Sequence, residues 1–209
     1  MGREARCRAG HGARSAEGVA HLETDHLAFR DDAGELRLRI PFKDVQGVEA
    51  ADGRLTVRFA GDAATFHLGA AAVAWAERIR APKPLLDKLD VRPGARVAMV
   101  GATAGADQDA LRAQLAERTD AVAIGRPRKE SDVVFLWAES ERDLERIATL
   151  EPYLKRDGAI WVVHPKGKGG IPDTTVFAAA KAAGFTYTKV ARVSDAYTAE
   201  KLVIPRKRR

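Results

Sequence analysis

Two patterns of apolar and polar residues divide the chain. Over residues 1–80, apolar positions come in short alternating runs: Val19 to Leu22, Leu27 to Phe29, Leu36 to Ile40, Val45 to Val48, Leu55 to Phe59 and Thr65 to Leu68. Turn residues separate them at Asp31-Asp32-Ala33-Gly34, Asp52-Gly53 and Gly61-Asp62. Period-two alternation broken by such turns predicts a small all-β module. Asp52-Gly53 between two apolar runs predicts a hairpin, since a primed turn needs positive φ. The module closes with a helix over residues 70–80, where Val73, Trp75, Ala76 and Ile79 recur at helical spacing.

From residue 94 the period changes. Val133 to Trp137 and Ala159 to Val163 are unbroken apolar runs. Runs this short and continuous predict strands covered on both faces. Between them Leu144, Ile147, Leu150 and Leu154 predict an amphipathic helix, ended by Asp157-Gly158 as a turn. Strand, helix and strand make a βαβ unit, whose crossover is right-handed. Arg96 to Gly101 predicts an earlier strand, followed by a helix carrying Leu111 and Leu115, and Ala121 to Ile124 a short second strand. A helix follows Ile171-Pro-Asp-Thr-Thr, with Asp173 or Thr174 as its cap, and Gly184 ends it. Tyr187 to Val193 and Lys201 to Ile204 predict a final antiparallel pair. The expected organisation is a β domain over 1–80, a linker over 81–93 stiffened by Pro82 and Pro84, and a Rossmann-like α/β domain over 94–209.

Composition narrows the function classes. A single cysteine, Cys7, excludes an internal disulfide framework and a thiolate metal cluster. His11, His21, His26 and His67 lack metal-ligand spacing, and no metal site is expected from the sequence. No run reaches the ~18 apolar residues of a spanning helix, and the first residues lack a signal-peptide core, so a cytoplasmic location is expected. The net charge of +6 admits anionic partners, and Arg206, Lys207, Arg208 and Arg209 could touch nucleic acid through phosphates alone. A solubilising tail accounts for them equally well.

Candidate chemistry gathers after the apolar strands. In open α/β sheets ligands bind outside the carboxyl ends of the strands. That places Trp137, Glu139, His164, Lys166 and Lys168 beside a crevice, with Glu139 expected to face His164. The loop holding Gly101, Thr103 and Gly105 occupies the usual phosphate position, but it is not G-x-G-x-x-G and Thr103 puts a side chain where a second glycine belongs. After the second strand stand Arg126, Arg128 and Lys129 rather than the acid that holds a ribose. The turn with His164, Lys166, Lys168 and Gly169 combines free backbone, positive charge and an imidazole, which suits a small anion. A solvated surface turn is the plainer alternative. Tyr197 and Lys201 match a Tyr-x-x-x-Lys spacing, yet lie between two expected strands and not on a helix.

Two resemblances follow from these residues. The pair Asp25 to Arg30, the entry Ile40 to Val45, and Trp75 with Ile79 resemble a pleckstrin-homology/GRAM-like module, a barrel or sandwich closed by a C-terminal helix. Some members of that family bind phosphoinositides through a basic early loop; here that loop carries Asp31 and Asp32. Asp132 to Leu136, Leu154 to Gly158, Ala159 to Val163, Ala183 to Phe185 and Lys201 to Arg206 are similar to the second half of class I S-adenosylmethionine-dependent methyltransferases. They are also similar to a bacterial family of uncharacterised domains with a shortened form of that fold. The resemblance leaves only Gly101 and Gly105 for contact with S-adenosylmethionine. It therefore implies a non-catalytic protein that binds a protein partner or a small anion, with a divergent methyltransferase or a basic nucleic-acid or phosphate binder as alternatives.

Overall fold

The computed structural model describes residues 3–101, 104–167 and 169–209. The chain divides into two compact units, Met1–Lys83 and Pro84–Arg209.

The N-terminal unit is one antiparallel sheet of seven strands: β1 (Arg3–His11), β2 (Arg14–Leu22), β3 (His26–Asp31), β4 (Arg37–Pro41), β5 (Val45–Ala51), β6 (Arg54–Phe59) and β7 (Asp62–His67). Their order, β4-β3-β2-β1-β7-β6-β5, puts β1 in the middle, joining two meanders. The sheet is curled around one core, with β4 and β5 as its terminal strands, so the expected barrel or sandwich is met in part, by a single curled antiparallel sheet. Leu22, Phe29, Ile40, Leu55, Val57 and Phe66 fill that core, and helix α1 (Ala71–Arg80) adds Trp75, Ala76 and Ile79. Val73, expected on the inner face of this helix, is 57% exposed. The β5–β6 turn has positive φ at Asp52 and Gly53, as a primed hairpin requires.

The C-terminal unit is a mixed sheet of six strands between two apolar layers. It holds a short helix α2 (Leu85–Lys88), β8 (Val97–Val100), α3 (Ala106–Arg118), β9 (Val122–Ile124), β10 (Ser131–Trp137), α4 (Ile147–Leu150), β11 (Leu154–Pro165), α5 (Asp173–Ala182), β12 (Thr186–Arg192) and β13 (Tyr197–Val203). The order is β12-β13-β11-β10-β8-β9. The pairs β9–β8, β8–β10 and β10–β11 are parallel, whereas β13 runs against β11 and β12 against β13. Val134, Leu136, Ile160, Val162 and Leu202 face α5 and the stretch before β11. Val133, Phe135, Trp137, Trp161 and Val163 face α2 and α3. Two covered faces are why these strands read as unbroken apolar runs.

Three local expectations fail. The amphipathic helix is instead a 3₁₀ run over Glu141–Arg146, one turn of α4, and a second 3₁₀ turn over Glu151–Tyr153. Pro152 has no amide hydrogen with which to extend a helix. Leu154 then starts β11, pairing with Ser131, and residues 155–158 bulge out before Ala159 pairs with Val133. Asp157-Gly158 is therefore part of a strand, and Gly158 is held as glycine by the Ser131 and Lys155 carbonyls, 2.9 and 3.0 Å from where a Cβ would stand. Finally, Pro172 occupies the cap of α5, with Asp173 the first helical residue and no side-chain cap bond.

Candidate functional site

The chain leaves β8 for β9 on one side and returns to β10 on the other. Such a reversal opens a crevice at the carboxyl ends of the strands. Because β13 is antiparallel, its first residue, Tyr197, pairs with Pro165 and joins the same edge.

On the α3 side of this edge stand Gly101, Gly105, Gln108, Trp137, Glu139 and Tyr197. Gly101 has φ 76°, and a Cβ there would drive into the Trp137 carbonyl. Its glycine serves close packing of the loop on β10. Gly105 is extended at the start of α3, and beyond its chain neighbours the nearest atom of the described residues to a Cβ there is Gln108 Cδ at 4.0 Å, which leaves its backbone open on that side among them. Thr103 lies outside the described residues. The Tyr197 hydroxyl donates to Glu139 Oε1 at 3.0 Å, and its ring stands edge-on to Trp137 at 5.0 Å. Burial, then this hydrogen bond, raises the Tyr197 pKa. Among the described residues, two buried polar atoms find no partner here, Trp137 Nε1 and Gln108 Oε1. Trp161, also buried, differs: its indole N–H donates to the Leu89 carbonyl at 2.8 Å.

On the α5 side, His164 ends the apolar run of β11 and is 1% exposed. Its Nε2 lies 2.6 Å from Glu200 Oε2, and its Nδ1 3.1 Å from the Pro165 carbonyl. Burial of the ring opposes its charge, but the Glu200 carboxylate outweighs that and raises the His164 pKa. Asp173 Oδ1, at the head of α5, stands 4.0 Å from Nε2. The expected partner, Glu139, belongs to Tyr197 instead. Strand alternation explains the exchange. His164 and Glu200 share the α5 face with Val162 and Leu202, while Trp137 faces α3. Glu200 was a missed site residue, although Glu200, Leu202 and Ile204 alternate along one face of the sequence and signal an inward glutamate.

The turn after His164 surrounds a cavity of about 490 Å³, lined by His164, Lys166, Gly167, Gly169, Asp173 and Thr198 among others. Gly167 and Gly169 have positive φ. Lys166 donates to the Ser194 carbonyl at 2.9 Å, and Lys168 lies outside the described residues. With Glu200 and Asp173 so near, the positive charge of this turn is offset around His164. A larger depression of about 790 Å³ lies at the amino-terminal end of β11, around Glu151, Lys155, Arg156 and Arg208, where Arg208 bonds Glu151 at 2.7 Å. It is a polar surface away from the strand ends that favour ligands.

The remaining candidates disperse. Tyr197 and Lys201 lie on a strand, and Lys201 binds Asp90 at 2.6 Å. Arg126, Arg128 and Lys129 are exposed beyond β9. In the tail, residues Arg206–Arg208 form a 3₁₀ turn; Arg208 also bonds the Gly184 carbonyl and Arg209 the Ile204 carbonyl. No helix among the described residues is long and apolar enough to cross a membrane.

Among curated proteins, none matches the chain. Solved structures similar to it include a proposed type 11 methyltransferase from Sulfolobus solfataricus, 13% identical, covering 57% of this chain and 89% of that one at a TM-score of 0.42. A TehB-like SAM-dependent methyltransferase from Corynebacterium glutamicum is 11% identical and covers 64% of this chain and 96% of its own, at a TM-score of 0.38. The C-terminal domain of an unknown protein from Leishmania infantum is 8% identical, covering 38% and 80%, at 0.34. The pleckstrin-homology/GRAM-like resemblance of the first unit is not supported by the comparisons. A family model does match, over residues 86–206: the chain belongs to the family described as "Protein of unknown function (DUF3052)".

Proposed function

We propose that the C-terminal unit is a binding domain on a methyltransferase-like sheet, holding a small polar ligand at the carboxyl ends of β8 and β10 without transferring a methyl group from it. The observation that carries this reading is the pair of buried polar atoms there that find no partner among the described residues: Trp137 Nε1, a donor, and Gln108 Oε1, an acceptor. Leaving such a group unpaired costs about 1–3 kcal/mol, and native structures leave few. A ligand with one acceptor and one donor recovers both. The contact between Gly101 and the Trp137 carbonyl supports the absence of transfer chemistry, because it gives that glycine to packing and takes it from cofactor contact.

A second reading, a methyltransferase with a divergent site, is favoured by the open backbone at Gly105 heading α3. A thermal-shift panel of nucleotides, S-adenosylmethionine, its demethylated product and small anions separates the two, since a ligand of the folded state raises Tm. The binding-domain reading expects a shift without methyl transfer, and about tenfold weaker binding in Trp137→Phe, the worth of one hydrogen bond. Methyl transfer by the purified protein would overturn it, as would ligand binding indifferent to Trp137→Phe.

A further inference from the structure

We propose that His164, Asp173 and Glu200 bind one divalent transition-metal ion, with zinc the ion their chemistry fits, at a site opening on the cavity beneath the 165–172 turn. The inference does not depend on the role proposed for Trp137 and Gln108, which belong to the opposite face of the sheet.

Ligand atoms of the three residues all lie within 4.8 Å of one another. The Glu200 side chain is 0% exposed, and its Oε1 has no hydrogen-bond partner among the described residues. A buried carboxylate oxygen without a donor calls for a cation. His164 sharpens that requirement. Its Nδ1 faces the Pro165 carbonyl, which can only accept, so Nδ1 carries the hydrogen. Nε2 then turns its lone pair to the Glu200 carboxylate, another acceptor, 2.6 Å away. Something positive has to stand between them, either a second proton on the ring or a metal ion. Donation of the far ring nitrogen to a backbone carbonyl is how metal-binding histidines are commonly oriented.

The distances suit a metal after small movements. At bonds of 2.0–2.1 Å a tetrahedral zinc separates its ligand atoms by about 3.3 Å. His164 Nε2 stands 2.6 Å from Glu200 and 4.0 Å from Asp173, so the two separations straddle that value. Asp173 is 62% exposed at the head of α5 and has room to turn inward. Two carboxylates and a neutral imidazole offset a divalent charge, and the imidazole favours zinc over magnesium or calcium. Three protein ligands leave a fourth position, which here opens on the cavity of about 490 Å³. These residues lie 9 and 27 positions apart in sequence, as 164, 173 and 200, and no ligand motif announces them.

The test titrates the chelator-treated full chain with Zn²⁺ by calorimetry and with Co²⁺ by visible absorption. One equivalent should bind, with cobalt giving d–d bands of a low-coordinate site. Asp173→Asn changes an exposed side chain and should fold; it should weaken binding about tenfold or more, the least that even an outer-shell loss costs. His164→Gln should abolish the cobalt bands, and where that variant fails to fold the Asp173→Asn comparison decides. Uptake unchanged in Asp173→Asn would mean adventitious binding elsewhere and would overturn the proposal. So would no saturable uptake by the wild type, which would leave a proton as the only bridge between His164 and Glu200.

Discussion

Gly18 in β2 has no side chain because its neighbours leave no space for one. A Cβ there would meet Asp31 Cα at 2.6 Å and Phe29 Cζ at 2.8 Å, and would press on the Arg30 carbonyl. Backbone atoms yield little in a packed sheet. Gly18→Ala should therefore destabilise the protein by about 1–3 kcal/mol, read as a lower urea midpoint at unchanged slope. Residues of this kind were only partly legible in the sequence. Glycines at turns announced themselves; Gly18 did not, because a crowded neighbour across a strand pair has no local signature. His164 was legible as a residue at a strand end, but its partner was misassigned to Glu139. Counting faces by alternation along β13 would have found Glu200, since an acid at an inward strand position is rare and needs a partner. Cys7, a plain small residue in the sequence, is buried, and burial together with the nearby Glu17 charge pushes its thiol up to about 11.

Among the elements, the final hairpin is fastened to the turn after α2. Asp90 accepts from Lys201 at 2.6 Å and from Lys189 at 2.9 Å, and has φ 57°. Burial alone would raise the Asp90 pKa, but the two lysine hydrogen bonds outweigh it and hold it below the usual 3.8. A group whose folded pKa is depressed stabilises above its unfolded pKa and loses that contribution as pH falls through the folded one. Asp90→Asn keeps a residue tolerant of positive φ and removes the charge. At pH 7 it should lower Tm by about 2–4 °C, the worth of a partly exposed pair, and the difference should vanish well below pH 3.8. A gap that persists in acid would mean the charge is irrelevant. Elements covered on both faces, such as β10 and β11, were readable because nothing polar interrupts them. Strand β1 was not. Its inward positions are Ala5, Cys7 and Ala9, too small to register as an apolar pattern between charged neighbours. The 141–153 stretch misled for the opposite reason: Leu144, Ile147 and Leu150 keep helical spacing and are buried, yet the backbone tightens to 3₁₀ around a single α-turn.

At the scale of the molecule, each unit has cores of its own. Among the described residues, the core of the first draws on residues before Pro84, and the two apolar layers of the second on residues from Leu85 onward. Residues 84–209 expressed alone should fold and melt in one cooperative transition followed by circular dichroism. A gradual, non-cooperative melt would show that they need the first unit. Alternation before residue 80 and unbroken apolar runs after residue 94 differ in the sequence because one pattern reflects a single covered face and the other two. The topology within each unit was not legible there, since which strand neighbours which depends on contacts far apart in the chain.

The middle position of β1 has a consequence for synthesis on the ribosome. One side of this strand finds β2 as soon as the next few residues emerge, but the other side pairs with β7, through Ala9 and Phe66. Until the seventh strand leaves the exit tunnel, that flank offers unclaimed amides and carbonyls to any other nascent chain nearby. The seam through the centre of the finished sheet is thus the last to be sewn, and the interval before it closes is when this half of the protein most needs protection.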